Sequence, residues 1–365
     1  MANLPLHGGK APRWLFQRMT RLARGISNVI IEEWGPEEML VKLSDPFWFQ
    51  SFGCVLGFDW HSSGLTTTTL GALKEGLRGR EKELGIFICG GKGKTSRKTP
   101  DELRDWGDKL SLPNGTIEGL VYNSRMSAKV DNVALQDGHQ IYHHNIVFTK
   151  GGVWAVIQQG MNEERRSARR YHWLSSRVSN LVEEPHSAIC AQSKADVLDM
   201  TARDSRKSRE MSSQLVSSDI NALLKDLKTM SEKQLVKPKE VLDMPARHPI
   251  HRMDYNTSRL EKILLNAHEH NPHGFEELLA IKGVGPKTIR ALALVSELIY
   301  GARASVRDPA RFSFAHGGKD GYPYPVDRET YDQTVAVLEA GIKKSQLGSS
   351  EKFAALKRLH GTLNL

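Results

Sequence analysis

The chain is poor in cysteine: its 365 residues include three, Cys54, Cys89 and Cys190, far apart and without a CxxC pair. That spacing supplies neither a disulfide framework nor a zinc or iron–sulfur signature. Long apolar runs are missing too, since no stretch approaches the roughly 20 residues that a membrane-spanning helix needs. The start, "MANLPLHGGKAPRWLFQRM", lacks the apolar core of a signal peptide. These absences point to a reducing, cytoplasmic setting.

Positive charge is in excess. Lys and Arg number 51 against 42 Asp and Glu, a net charge of +9. That balance favours a polyanionic partner such as nucleic acid. Hydrophobic residues at 39% and charged residues at 25% are ordinary for a globular chain, and the length suits two domains.

The texture changes along the sequence. "LGIFICGG" (84–91) reads as a buried strand entering a loop, and "HQIYHHNIVFTKGGVWAVIQQG" (139–160) as a hairpin turning at Lys150-Gly151-Gly152. "TTTTLGALKEGL" (66–77) reads as a helix with its threonines available as caps. Residues 1–190 are therefore expected to form an α+β domain. From 191 to 245 the chain becomes polar and helix-favouring, a charged helical connector. It ends near "VKPKEVLDMPARHPIHR" (236–252), whose three prolines suggest an extended link. Residues 246–365 are helical throughout, an expected all-α domain.

Several segments offer surface chemistry. "CGGKGKTSRKTP" (89–100) ends like a phosphate-binding loop, but Ile88 stands where that motif requires glycine, so nucleotide binding is not expected. Its cations Lys92, Lys94 and Arg97 remain candidates for nucleic-acid contacts beside a glycine turn. "RRSARRYHW" (165–173) interleaves Arg with aromatics and nominates Arg169 for the same role. On a helix these arginines would instead form an exposed face beside a buried Trp173. His139, His143 and His144 lie near Asp131 and Asp137, yet His143 and His144 would face opposite sides of a strand. No metal is assigned, and no cofactor is expected.

The most specific segment is "LLAIKGVGPKTIRALAL" (278–294). Leu278 and Ile281 suit packing between two helices, and the glycines permit positive φ and close approach of backbone to phosphate. Pro286 suits the first turn of the second helix, whose N-terminal N–H groups and dipole attract an anion. Ile289, Leu292, Val295 and Ile299 supply that helix with a buried stripe. The pattern looks like a helix-hairpin-helix DNA-binding element over 275–299. Its expected contacts are Lys282, Gly283, Val284, Gly285, Thr288 and Arg290.

The "GVGPKT" form resembles both non-catalytic hairpins of repair and replication proteins and the helix-hairpin-helix DNA glycosylase superfamily, of which endonuclease III is the familiar member. In the second group a Gly/Pro-rich loop leads to a catalytic aspartate at a helix start. "HGGKDGYPYPVDRETYDQTVAVLEAG" (316–341) offers that piece, so Lys287 matches the superfamily's nucleophile and Asp327 its aspartate. The interval between them is longer than usual, with "YGARASVRDPARFSF" (300–314) inserted, and the iron–sulfur cysteines of endonuclease III are absent. Across the whole chain, "LHGGKAPRWLFQRM", "IYHHNIVF", "VWAVIQQGMN" and "ARRYHWLS" resemble an archaeal and bacterial family labelled a domain of unknown function. Its archaeal members are associated with removal of oxidised pyrimidines such as 5-hydroxyuracil.

These resemblances imply a DNA repair glycosylase, with AP-lyase activity, acting on double-stranded DNA that contains a damaged base. The damaged nucleotide would be flipped out of the stack. Lys287, made neutral by burial or by nearby positive charge from Lys282 or Arg290, would attack the anomeric carbon, and Asp327 would stabilise the cationic sugar. A nucleoid-associated location would follow. Two alternatives stand beside this expectation. A metal-dependent nuclease would draw on Asp131 and Asp137, whereas a non-catalytic DNA-binding protein would use the hairpin alone.

Overall fold

The computed structural model describes residues 11–58, 63–191, 194–195, 197–236, 257–311 and 328–363. Helices α1 (Arg13–Trp34), α2 (Pro36–Ser44), α3 (Pro46–Leu56), α4 (Gly64–Leu77) and α5 (Glu81–Leu84) come first. Strand β1 (Ile86–Lys92), helices α6 (Thr99–Leu110) and α7 (Asn114–Lys129) and the short strand β2 (Leu135–Gln136) follow. Strands β3 (Gln140–Thr149), β4 (Trp154–Asn162), β5 (Ser167–Leu174), β6 (Ala188–Cys190) and β7 (Leu198–Asp199) complete the sheets. Helices α8 (Arg206–Ser217), α9 (Ile220–Val236), α10 (Thr257–Glu269), α11 (Phe275–Ala280), α12 (Pro286–Tyr300), α13 (Arg328–Lys344) and α14 (Ser349–Leu363) end the chain.

The class is α+β. A five-stranded antiparallel sheet, ordered β1-β3-β4-β5-β6, carries helices on both faces, and β2 pairs with β7 in a separate ribbon. The alternation of strand side chains explains the two layers. Ile86, Ile88, Val147, Ala155, Ile157 and Leu174 point to a core built with α1–α4, α13 and α14. Phe87, Cys89, Ile146, Phe148, Val156, Tyr171 and Trp173 point to the other, built with α7–α12. Strands buried on both sides need apolar residues at nearly every position, which is why "LGIFICGG" reads as one continuous run. The hairpin read at 139–160 is the β3–β4 pair, with Phe148 opposite Trp154.

Glycine is required at Gly90. Its φ is +104°, and a Cβ there would stand 2.2 Å from the His144 carbonyl oxygen across the β1–β3 pair. Its N–H donates to Glu102 Oε2 at 2.7 Å, and Lys74 Nζ donates to its carbonyl at 2.9 Å. The end of β1 is thus pinned between α4 and α6.

Three local expectations are corrected. The threonines of "TTTTLGALKEGL" lie inside α4, which begins at Gly64 with no side-chain cap. "RRSARRYHW" is largely the interior strand β5, because the sheet claims this β-rich run. The stripe on α12 ends before Ile299, which is 46% exposed.

The polar segment after residue 190 buries Leu215, Val216, Ile220, Leu223 and Leu227 against the sheet and α10–α12. The later helices divide between the layers. Leu264, Leu278, Leu292 and Val295 join the core of α7–α9, whereas Leu338, Ile342, Ala355 and Leu359 join that of α1 and α3. Among the described residues no helix is long and apolar enough to cross a membrane.

Candidate nucleic-acid interface and adjoining cleft

Helices α11 and α12 meet through a turn at 281–285. Phe275, Leu278 and Leu279 bury α11, while Ile281 and Val284 tuck the turn beneath it. Gly283 has φ +98°, a backbone conformation that side chains disfavour. Gly285 is extended and precedes Pro286 at the first helical position, and no side chain caps this end of α12. The first-turn amides therefore lack intrahelical acceptors and present the positive end of the helix dipole. Lys282 and Lys287 are exposed beside it.

The turn is held rigidly from behind. Lys129 Nζ donates to the Ile281 carbonyl at 2.8 Å, and Gln136 Nε2 donates to the Pro286 carbonyl at 2.8 Å. Arg290 Nε donates to Gln136 Oε1 at 3.1 Å, so this arginine braces the hairpin. Burial lowers the pKa of Lys129, because desolvation penalises the charged ammonium. Lys129 and Gln136 flank a π-helical turn, Val130–Ala134.

The expected contact residues divide accordingly. Lys282, Gly283 and Lys287 are exposed, and Gly285 and Arg290 are half-buried. Val284 and Thr288 are 3% and 2% exposed, so their side chains pack inward and only their backbone faces a ligand. Asp327 lies outside the described residues, and so does the Gly/Pro-rich stretch before it.

Lys92, Lys94 and Arg97 are exposed around the 3-10 turn Gly93–Lys98. Lys92 sits over the Tyr142 ring, 5.8 Å from its centroid. Lys94, Arg97 and Tyr142 line a groove of about 740 Å³ that Glu163 and Glu164 close on another side.

Arg169 is corrected. It is 1% exposed on β5, pairing with Asp137 Oδ2 at 3.3 Å and through both terminal nitrogens with Asp308. Burial alone would lower its pKa, but Asp137 and Asp308 raise it. A guanidinium enclosed by two carboxylates is a structural tie, not a phosphate contact. Sequence alone could not show this, because Asp308 is remote along the chain.

The nuclease carboxylates are also engaged. Asp137 accepts from Tyr171 Oη at 2.6 Å as well as from Arg169. Its pKa stays below the usual value although burial pushes it up, because a His139 hydrogen bond, the Arg169 charge and the Tyr171 hydroxyl outweigh desolvation. Asp131 is 0% exposed, receiving Trp173 Nε1 at 3.0 Å and Gln158 Nε2, and facing His186 Nε2 at 2.5 Å. Among the described residues no cluster of three His, Cys, Asp or Glu is placed to hold a metal ion. Cys54, Cys89 and Cys190 are buried and form no disulfide among the described residues, and burial pushes the Cys190 thiol up to about 11.

His186 opens onto a feature that the motifs did not reveal, a cleft of about 480 Å³. Ser187, Asp199 and Thr201 line it on one side, and Ser305, Arg307, Asp308 and Arg311 line it on the other. The second wall is the segment that follows α12. The Ser305 carbonyl accepts from Asp199 N–H at 2.9 Å, and Arg311 N–H donates to the Ile189 carbonyl at 3.2 Å. Residues 302–311 of the inserted stretch are therefore laid along the edges of both sheets. The available signal was "EEPHSAIC" (183–190), where a histidine leaves a proline turn just before a strand.

The family model described as a protein of unknown function (DUF763) matches residues 1–326. No curated protein and no solved structure matches the chain.

Proposed function

For this chain, which belongs to the DUF763 family, we propose the activity of a DNA repair glycosylase with AP-lyase chemistry. It grips duplex DNA through a helix-hairpin-helix element at 275–299 and excises a damaged base, an oxidised pyrimidine by resemblance. The observation that carries this reading is the braced hairpin. A positive-φ glycine, an uncapped helix start and two exposed lysines form one surface, and Lys129 and Gln136 fix its orientation from behind. Such a surface receives a phosphate without reorganising.

Lys287 is the proposed Schiff-base nucleophile, and Asp327 is the group that stabilises the cationic sugar. An attacking amine must be neutral, so the bound duplex has to desolvate Lys287, whose side chain is exposed in the free chain. That exposure favours one second reading, in which Lys287 contacts phosphate and the hairpin only grips.

Borohydride reduction separates the two. With a duplex holding one abasic site, the wild-type chain is expected to form a covalent adduct, and Lys287→Ala to form none. Lys287→Arg is expected to bind DNA but not to trap. An adduct that persists in Lys287→Ala removes Lys287 as nucleophile, and absence of an adduct in the wild type supports the grip alone.

A further inference from the structure

We propose that the cleft between β6 and the 302–311 segment receives the nucleotide extruded from the duplex, with His186 as proton donor to the departing base. The inference rests on the glycosylase reading and adds the pocket that reading lacks. At about 480 Å³ the cleft is within the size range of small-ligand sites.

Its floor is built for a proton or hydrogen bond. Asp131 engages Nε2 of His186, which leaves Nδ1 as the ring nitrogen for a ligand. Trp173 and Gln158 hold the other carboxylate oxygen, and the Trp173 ring meets the imidazole edge-on at 4.8 Å. The imidazole is thus fixed in orientation, with Nε2 on Asp131 and Nδ1 left to carry the proton that is transferred. Ser187 Oγ, on the same floor, is buried without a hydrogen-bond partner. A buried hydroxyl of this kind is costly unless something supplies a partner, and the polar edge of a base does so.

The mouth carries charge of the sign that DNA requires. Among the described residues, neither Arg307 nor Arg311 forms an ion pair, and both are exposed. Three of the cleft's four acids are engaged within the protein, and the fourth, Asp204, is exposed. Glu184 pairs with Arg203 at 3.3 Å, Asp308 pairs with Arg169, and Asp199 accepts from the Thr201 hydroxyl at 2.6 Å. Two open guanidiniums over an apolar and hydroxyl-lined floor suit a nucleoside with its flanking phosphates. The π-helical turn joins this floor to the hairpin, because Lys129 and Gln136 hold the hairpin while Asp131 between them holds His186.

In the proposed step the C1′–N bond breaks and its electron pair goes to the base. The Nδ1 proton of the His186 imidazolium passes to that base, leaving neutral imidazole against Asp131. Lys287 Nζ forms the new bond to C1′ and then releases its own proton to solvent. Base, sugar and protein then balance without another reactant.

The test begins with the wild-type chain and a duplex carrying a single 5-iodouracil opposite guanine. Irradiation and peptide mapping are expected to place the crosslink within 184–189 or 305–311. Crosslinks confined to 282–290, or to any other segment, overturn the cleft. With a duplex bearing 5-hydroxyuracil, His186→Gln is expected to slow base release at least about tenfold. Trapping on a preformed abasic duplex should stay within about twofold, since no base has to leave there. Unchanged base release overturns the role of His186. If that variant folds poorly, Arg307→Ala/Arg311→Ala changes only exposed side chains and should weaken the crosslink, and an unchanged yield overturns the mouth. Failure of the glycosylase reading looks different: the wild type neither releases base nor traps, and the crosslink position still decides the cleft.

Discussion

Asp308→Asn removes the charge that holds Arg169 and the wall of the cleft together. Both side chains are 2% exposed. The Asp308 carboxylate takes both Arg169 terminal nitrogens, the Ala195 N–H at 2.8 Å and the Ala310 N–H at 3.0 Å. Breaking a buried pair by deleting one charge costs about 3–5 kcal/mol. Asparagine keeps one acceptor oxygen, and Asp137 still faces Arg169, so the expected loss is near about 2–3 kcal/mol. Urea denaturation followed by tryptophan fluorescence measures it. Hydrogen exchange should show 302–311 opening first, because that segment is tied down through Asp308. Affinity for undamaged duplex should hold, since Arg169 is enclosed. Stability within about 0.5 kcal/mol of wild type, well below the cost of a broken buried pair, would refute the structural tie. Lost DNA affinity at unchanged stability would return Arg169 to the surface role first expected of it.

Other outcomes follow from local geometry. Burial, then the neighbouring charges of His144 and Lys92, push the His143 pKa from 6.5 down to about 3. Its contribution is whole above the unfolded value and is lost as pH falls through that window, by about 3 kcal/mol at about pH 4.5. Burial lowers His144 too, with the same sign, so urea midpoints should fall steeply on acidification, and a flat profile would contradict neutral buried imidazoles. Gly90→Ala places Cβ 2.2 Å from the His144 carbonyl at φ +104°, and a loss of about 2–4 kcal/mol in thermal or urea unfolding is expected. Gly283→Ala meets nothing closer than 3.5 Å, so its φ of +98° should cost only about 1–2 kcal/mol while weakening duplex binding. Lys282→Gln should flatten the slope of log affinity against log salt by about 1 in fluorescence anisotropy, the loss of one phosphate contact.

Parts of this organisation were legible because they depend on neighbours in the chain. "LGIFICGG" announced a buried strand, and Lys150-Gly151-Gly152 announced the β3–β4 turn. "GVGPKT" announced a tight turn into a helix, since Gly and Pro restrict backbone angles wherever they occur. "RRSARRYHW" misled because its charges say surface while its β-rich residues say strand. The strand prevailed once Asp137 and Asp308 were there to receive Arg169.

By itself, then, the sequence determined the buried strand at 86–92, the β3–β4 turn, the α+β class and the placement of Lys282 in a tight turn and Lys287 at the helix start that follows. Tertiary structure alone decided which charges are spent and which remain open. Asp131 meets His186, Arg169 meets Asp308, and Lys129 meets the Ile281 carbonyl, each across a long separation along the chain. The segment 300–314 looked like an interruption of a motif, yet its residues 305–311 form a wall of the cleft. The physical reason is range. Backbone preference acts over a few residues, whereas burial and charge pairing act between whichever residues the sheet and helices bring together.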